Sequence, residues 1–351
     1  MLIILGFIGG AFILSQALAH TTKKDKWYLF FIWFALVFIT GFRTLSFYTD
    51  TSIYEGYYNT SASRTFLKTF SLLLNWGENK DPFYHFTTGV LGRIGLSFRG
   101  WLIIISIIYY TGFICVVNRF SQIPFITVLG LTCLSYVFFT CTGIRQTIAM
   151  GFCFFAFIKA YDKKPIQFAI FIALASLYHS SAIIFILAYF FMRRKFGLLQ
   201  IVVVVGSVTV AFLFPSAINQ IVEMLAWNDD IEKYANVTTG LSLSGYIIQF
   251  AIVGGCFIVA SDYCLHDEEG LAFFNMAILG LLFQIFAIRI DNIFRMSMYF
   301  SVYGLFLLSN SIAKMQKARD YWIVYGVVCA ALLFQFLNSG GMSSFTLFGG
   351  V

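Results

Sequence analysis

Four arginines lie at the ends of long apolar runs, where a positive charge is energetically unfavourable unless something compensates it. They are Arg43, Arg145, Arg289 and Arg295. An arginine at the centre of a membrane span costs about 2.5–3.5 kcal/mol on an insertion scale, and less near the membrane edge. Four such residues converging on one side indicate a shared anionic ligand. The alternative is that each side chain simply reaches the lipid headgroups.

Arg145 gives the strongest indication, because the segment Thr142-Gly143-Ile144 resembles the start of a helix. The macrodipole disfavours a cation in the first helical turn, and a bound anion removes that penalty. Backbone N–H groups at a helix start and a guanidinium fork together can bind phosphate or diphosphate. Gln146 would add neutral donors to the same oxygens.

Three residues are candidates for acid–base chemistry. His179 lies in an apolar segment, and a titratable group inside a membrane is a functional candidate, although a lone histidine often only bonds a neighbouring carbonyl. Asp50 could act as a base or bind a sugar hydroxyl, or it could be the N-cap of a helix that begins at Thr51. Asp81, before Pro82, has the same alternative as a turn or cap residue.

The composition assigns these residues to a membrane protein. The 351 residues are 60% hydrophobic, 19% aromatic and only 11% charged. A soluble core cannot bury so much apolar surface, so the bilayer must act as the solvent. The formal charge of +7 resides in short loops between apolar runs, which is the positive-inside pattern. Nucleic acid is therefore excluded as a partner.

We predict an all-α, polytopic membrane protein with about 12 membrane helices, forming a single membrane domain over residues 1–351. The apolar runs lie at about 1–19, 27–42, 101–117, 124–139, 144–160, 165–177, 182–192, 198–214, 246–260, 271–288, 293–312 and 321–337. The first run lacks a cleavage site before its basic exit, so we expect a retained span and not a signal peptide.

The basic loops set the predicted topology. Lys163 and Arg194 both remain in the cytoplasm only if residues 165–192 form a short helical hairpin that is broken near His179. Arms of about 13 residues reach only ~20 Å, so the tip with His179 would lie below the outer surface. Two longer outer loops remain, residues 43–100 with an interfacial amphipathic helix at 83–96, and residues 215–245.

No cofactor is expected from the sequence. The seven cysteines lack metal-binding spacing, His20 and His266 fall in predicted cytoplasmic loops, and His85 falls in the predicted interfacial helix. The predicted outer side has no Asp-x-Asp pair. We therefore expect arginines, and not a divalent metal, to neutralise the negative charge of a leaving group.

The chain resembles the EpsG family of Wzy-like polysaccharide polymerases over most of its length. The resemblance is carried by Arg43 with Thr49-Asp50-Thr51, Asp81-Pro82-Phe83-Tyr84, Arg145-Gln146 with Ala149, Tyr178-His179-Ser180-Ser181-Ala182, and Arg295 with Tyr299. The family usually has Glu-Pro where this chain has Asp81-Pro82. We expect Tyr178 and Tyr299 to bind the sugar.

The resemblance implies a glycosyltransferase that joins oligosaccharide repeats carried on polyprenyl diphosphate, usually undecaprenyl diphosphate. The acceptor hydroxyl would attack the donor anomeric carbon as the lipid diphosphate leaves, with inversion if displacement is direct. The site would face the periplasm or cell exterior from the cytoplasmic membrane, beside a flippase and a chain-length-regulating co-polymerase. Two alternatives stay open: an O-antigen ligase-type glycosyltransferase, and a flippase or transporter of a lipid-linked sugar.

Overall fold

A computed structural model of the chain describes residues 1–18, 24–45, 49–74, 81–195, 197, 200, 206, 209, 243–287, 293–339 and 345–347. These residues are largely helical, and β-structure among them is limited to one isolated bridge between Arg43 and Leu347. The predicted all-α class is confirmed.

The helices are numbered here in chain order. They are α1 (Leu2–Ala17), α2 (Lys24–Gly41), α3 (Thr49–Ser63), α4 (Phe66–Leu74), α5 (Pro82–Arg93), α6 (Phe98–Phe120), α7 (Pro124–Cys133), α8 (Tyr136–Thr142), α9 (Ile144–Tyr161), α10 (Pro165–Tyr178), a 3₁₀ helix (Ser180–Phe185), α11 (Ile186–Phe191), α12 (Ser244–Val259), α13 (Ser261–His266), α14 (Glu268–Ala287), α15 (Phe294–Ser301), α16 (Gly304–Ala313) and α17 (Ala318–Asn338).

Four of the described helical stretches are long and apolar enough to cross a membrane: α6, α14, the stretch Phe294–Ala313 and α17. A fifth is added if α7 and α8, which are bent by 51° at their junction, form one span. The other apolar helices, including α1, α10 and α12, are shorter than a full span requires. The chain therefore has the character of a membrane protein, but the predicted number of about 12 spans is not confirmed.

The chain breaks at His179, as the sequence predicts. Pro165 begins α10, which ends at Tyr178, and His179 is extended with φ −155° and ψ 111°. A 3₁₀ helix and α11 follow. Whether the chain turns back across the membrane there stays a prediction. Most of the predicted span at 198–214 and most of the predicted loop at 215–245 lie outside the described residues.

The described chain forms two compact units. The first comprises Met1–Ile183 and Gly326–Val351, and the second comprises Ile184–Tyr325. In the first unit α2, α6, α9 and α10 pack in succession. A Cβ at Gly112 of α6 would stand 2.5 Å from the Gly151 carbonyl oxygen of α9, so these helices approach closely only because both positions are glycine.

The segment before α6 differs from the predicted loop with one surface helix. It contains three helices, and α5 packs against α3, α4, α6 and α10. Tyr84 of α5 is fully buried in a cluster with Trp101, Ile144 and Ile148. The predicted amphipathic helix at 83–96 corresponds to α5, which contacts four other helices; its position at the membrane interface stays a prediction.

The second unit is built around α14, which packs against α15 and α16. Its core includes Phe273, Phe300 and Tyr303, all buried. The Ser297 hydroxyl donates to the Gly280 carbonyl over 2.8 Å and contacts Gln249, so α12, α14 and α15 are joined by polar groups within apolar helices.

Candidate functional site

Asp81 lies at the start of α5 with an unusual backbone. Its φ of 53° and ψ of 58° place it in the left-handed region, which costs a non-glycine residue roughly 1–2 kcal/mol. The following Pro82 restricts it further. Its side chain makes no capping hydrogen bond to α5 and is only 1% exposed. The Asp81 carboxylate therefore does not cap α5, which was the alternative role that the sequence allowed.

The Asp81 carboxylate instead joins three helix ends. Its Oδ2 lies 3.0 Å from Nη1 of Arg145 and 3.2 Å from Nδ1 of His179. Its Oδ1 accepts from the backbone N–H of Ser180 over 3.1 Å. Arg145 is in the first turn of α9, and His179 and Ser180 form the break after α10. We call Asp81, Arg145 and His179 the acid–base cluster.

The environment of Asp81 favours its charged form. Burial opposes ionisation, but the hydrogen bond and electrostatic interaction with His179, the charge of Arg145 and the Ser180 N–H together hold the pKa of Asp81 below its ordinary value. An ionised carboxylate only accepts hydrogen bonds, so Nδ1 of a neutral His179 must carry the proton. The lone pair then lies on Nε2, which makes no hydrogen bond to any residue the structure describes.

Arg145 occupies the helix position that the sequence predicts, the second residue of α9 after the N-cap Gly143. A cation in this first turn needs a nearby anion, and the structure supplies one within the chain, the Asp81 carboxylate. The inference of a bound diphosphate from the dipole alone is therefore weakened. The Arg145 side chain is 18% exposed and lies 5.8 Å from the centre of the Tyr54 ring.

Aromatic side chains surround the acid–base cluster. Tyr54 makes an edge contact with Tyr84 at 6.0 Å between ring centroids. Tyr178, adjacent to His179, packs against Phe83 at 5.1 Å and stacks on Phe152 at 6.0 Å. These contacts hold the chain in place before the break. A sugar bound by Tyr178, as expected from the sequence, would contact the edge of the ring that these neighbours leave open.

His85 is a neighbour of the cluster that the sequence interpretation set aside. It lies one turn beyond Asp81 on α5 and makes edge contacts with Tyr57 and Tyr84. Burial, and then the positive charges of Arg145 and Arg64, lower the pKa of His85 to about 4, against the opposing effect of Asp81. The spacing of four residues between Asp81 and His85 was the available signal.

We expect His85 to make the protein less stable in mild acid. In the unfolded chain His85 has its ordinary pKa near 6.5. Between pH 6.5 and 4 the unfolded state therefore binds more protons than the folded state, and the free energy of unfolding decreases as the pH is lowered. The His85→Gln variant should lose less thermal stability between pH 7.5 and 5 than the parent protein, as measured by unfolding in detergent. The His266→Gln variant, at a side chain that is 76% exposed, controls for the loss of one histidine. Identical curves for His85→Gln and parent would contradict this assignment.

Arg43, which the sequence predicts as a diphosphate ligand, is hydrogen-bonded within the chain. It is fully buried, with Nη1 donating to the Thr40 carbonyl over 2.6 Å and Nη2 to the Cys141 carbonyl over 3.2 Å. These carbonyls belong to the last turns of α2 and α8, where the chain has no further helical donors. A cation is favourable at a helix C-terminus. The geometry therefore does not support Arg43 as part of a diphosphate site.

The structure does not assign a role to the remaining predicted residues. Gln146 is buried in α9. Arg289 and the side chain of Asp50 lie outside the described residues, although α3 begins at Thr49 and places Asp50 in its first turn. Arg295 and Tyr299 belong to the second unit, Arg295 in the first turn of α15 and Tyr299 buried. Their expected roles stay predictions.

Within the described residues no group of three or more His, Cys, Asp and Glu side chains could hold a metal ion. The acid–base cluster supplies one carboxylate, one imidazole and one guanidinium. This set can accept a proton at His179 and interact with an anionic group at Arg145.

Helices of this apolar character are those of a helical membrane protein, and the buried Asp81 carboxylate joins three of their ends through an imidazole and a guanidinium. The chain belongs to the EpsG family, whose family model matches residues 26–348. The match includes every residue of the acid–base cluster. No curated protein and no solved structure matches the chain.

Proposed function

We propose that the chain polymerises polyprenyl-diphosphate-linked oligosaccharide repeats by glycosyl transfer at the outer face of the cytoplasmic membrane. The observation that carries the proposal is the convergence of His179 and Arg145 on the buried Asp81 carboxylate. Membership in the EpsG family supports a Wzy-like polymerase. The cluster supplies the two groups that such a transfer needs, a proton acceptor and a cation.

In the proposed reaction, the acceptor hydroxyl gives its proton to Nε2 of His179 as its oxygen bonds to the donor anomeric carbon. The bond from that carbon to the diphosphate oxygen breaks, and the electron pair leaves with the lipid diphosphate. Direct displacement inverts the anomeric carbon. A positioned general base contributes about 10²–10⁴ in rate.

Charge within the cluster changes with the reaction. With His179 neutral, the negative charge of Asp81 and the positive charge of Arg145 cancel. When His179 takes up a proton, the cluster gains one positive charge at the moment that the diphosphate leaves. Asp81 then stabilises the imidazolium at Nδ1. This mechanism uses no metal, and we propose Arg145, with Arg295 and Arg289 as further cations, for the diphosphate.

The test is polymer formation from purified lipid-linked repeats by the full chain in liposomes. The parent protein should form polymer and release polyprenyl diphosphate, and His179→Gln should reduce turnover by about 10²–10⁴ at unchanged expression. The exposed His266 provides a matched control, because His266→Gln should retain parental activity. Transfer only to a different acceptor lipid would indicate a ligase. Transbilayer movement of repeats without glycosyl transfer would indicate a flippase and overturn the proposal.

We also propose the full topology that this function requires. The shorter apolar helices, together with the apolar run at 198–214, would bring the number of spans to about 12, with His179 near the outer surface and Lys163 and Arg194 in the cytoplasm. A flippase would supply the repeats and a co-polymerase would set chain length. In intact cells, a cysteine at Ser180 should react with an impermeant thiol reagent, and cysteines at Lys163 and Arg194 should not. Reaction at position 194 would contradict the fold-back at His179.

A further inference from the structure

Helix α4 exposes apolar residues and buries a polar one, which is the opposite of a helix in a water-soluble protein. Leu67 is 80% exposed and Phe66 and Phe70 are also exposed, whereas Thr69 is fully buried. A Cβ at Gly89 of α5 would stand 2.6 Å from the Thr69 methyl carbon, so α4 rests on α5 through its polar residue. Phe66, Leu67 and Phe70 therefore point away from the protein.

This apolar face does not belong to a membrane span. Nine residues of helix extend only about 13.5 Å, far less than the ~30 Å hydrocarbon core. The neighbouring helices in the sequence are α3, which is polar, and α5, which packs against α3, α4, α6 and α10. The exposed apolar face of α4 therefore requires an apolar environment outside the protein.

Basic side chains border the apolar face. Lys68 and Arg93 are exposed, and Arg93 lies 5.8 Å from the centre of the Phe66 ring while donating to the Arg64 carbonyl. Helices α4 and α5 contain no Asp or Glu. Apolar and aromatic residues with a basic border are typical of helices that lie in a membrane interface containing anionic lipids.

A second copy of the chain fits this surface less well. A symmetric contact would bring the basic borders of two identical surfaces together, which is electrostatically unfavourable. A few side chains from a nine-residue helix also provide far less than the ~1,000 Å² that a stable protein interface buries.

We propose that α4 docks in the interface of the bilayer on the side of the acid–base cluster. Phe66, Leu67 and Phe70 enter the region where headgroups meet acyl chains, and Arg64, Lys68 and Arg93 face anionic lipid phosphates. Because α4 packs on α5, whose first residues follow Asp81, the docked helix also holds the acid–base cluster at a constant depth relative to the membrane.

The test uses the full chain in liposomes of phosphatidylglycerol and phosphatidylcholine. A bimane fluorophore is attached to a cysteine at Leu67, in a background where the partly exposed Cys115 and Cys329 are replaced by alanine. The matched control carries the fluorophore at the exposed Thr60 of α3. Lipids with a spin label near the headgroup should quench the fluorophore at position 67, and aqueous iodide should not. Position 60 should show the opposite pattern.

The basic border is tested in the same liposomes. Replacing Lys68 with glutamine should shift the equilibrium between docked and undocked α4 about fivefold towards the undocked state, since one lysine near an anionic surface contributes about 1 kcal/mol. The shift should vanish in pure phosphatidylcholine. Quenching of position 67 by iodide, or protection from both quenchers as in contact with a second copy, would overturn the proposal.

Discussion

Replacing Asp81 with alanine is expected to abolish polymer formation and also to lower the stability of the folded protein. The substitution leaves the guanidinium of Arg145 partly buried without its counter-charge and removes the acceptor of the His179 Nδ1 proton. Breaking a buried ion pair costs about 3–5 kcal/mol, and a general base that is no longer positioned forfeits up to the about 10²–10⁴ in rate that it contributes. Polymer formation in liposomes and thermal unfolding in detergent measure the two effects.

The Asp81→Asn variant separates these effects, because asparagine keeps the shape and one acceptor oxygen but not the charge. It should fold, yet turnover should fall at least 100-fold because the imidazolium of His179 loses its stabilising carboxylate. Asp162 is the matched control, since it also pairs with an arginine, Arg119, but at an exposed position. Asp162→Asn should change stability by about 1 kcal/mol or less. Parental turnover in Asp81→Asn would contradict the role of the carboxylate.

The Arg145→Ala variant is expected to be inactive, and its stability should depend on whether Asp81 is present. Alone it leaves a buried carboxylate without its cation, a loss of about 3–5 kcal/mol. In the Asp81→Ala, Arg145→Ala double variant neither charge is left behind, so the total loss should be smaller than the sum of the single losses by about 0.5–3 kcal/mol. Thermal unfolding of the four proteins gives this coupling energy. Additive losses would show that the pair contributes no coupling.

The Arg145→Lys variant tests whether Arg145 also contacts the substrate. Lysine can retain the charge opposite Asp81, but it lacks the planar fork that would hold a carboxylate and a diphosphate at once. Stability should therefore change little, while activity and binding of polyprenyl diphosphate fall nearly as far as in Arg145→Ala. Arg119→Lys, at the exposed pair, should have parental activity. Undiminished diphosphate binding by Arg145→Lys would show that Arg145 does not contact the substrate and that its role is the structural pairing with Asp81.

The sequence predicted the local features of the site correctly because they depend on nearby residues. The break at His179 follows from the basic loops, since Lys163 and Arg194 lie on either side of the segment. The start of α9 before Arg145 follows from Thr142-Gly143, and the structure has Gly143 as the N-cap. The apolar runs likewise correspond to helices wherever the structure describes them.

The partners of these groups could not be predicted from the sequence in the same way. Nothing in the spacing of Asp81 and His179, which are 98 residues apart, indicates that their side chains meet. The dipole argument predicted an anion beside Arg145, but it could not distinguish a ligand from a carboxylate of the chain itself. For Arg43, a cation near a helix end looked the same in sequence whether it faced a ligand or capped the helix.

The long separation within the acid–base cluster bears on how the protein is made. Asp81 leaves the ribosome before His179 does, and at about 5–20 residues per second the intervening 98 residues take roughly 5–20 s to synthesise. During that interval the carboxylate has neither the imidazole nor the Ser180 N–H, so the contacts that hold the start of α5 are incomplete. The cluster therefore forms only after α10 has emerged, and a nascent chain that stops before residue 179 should remain susceptible to quality-control proteases.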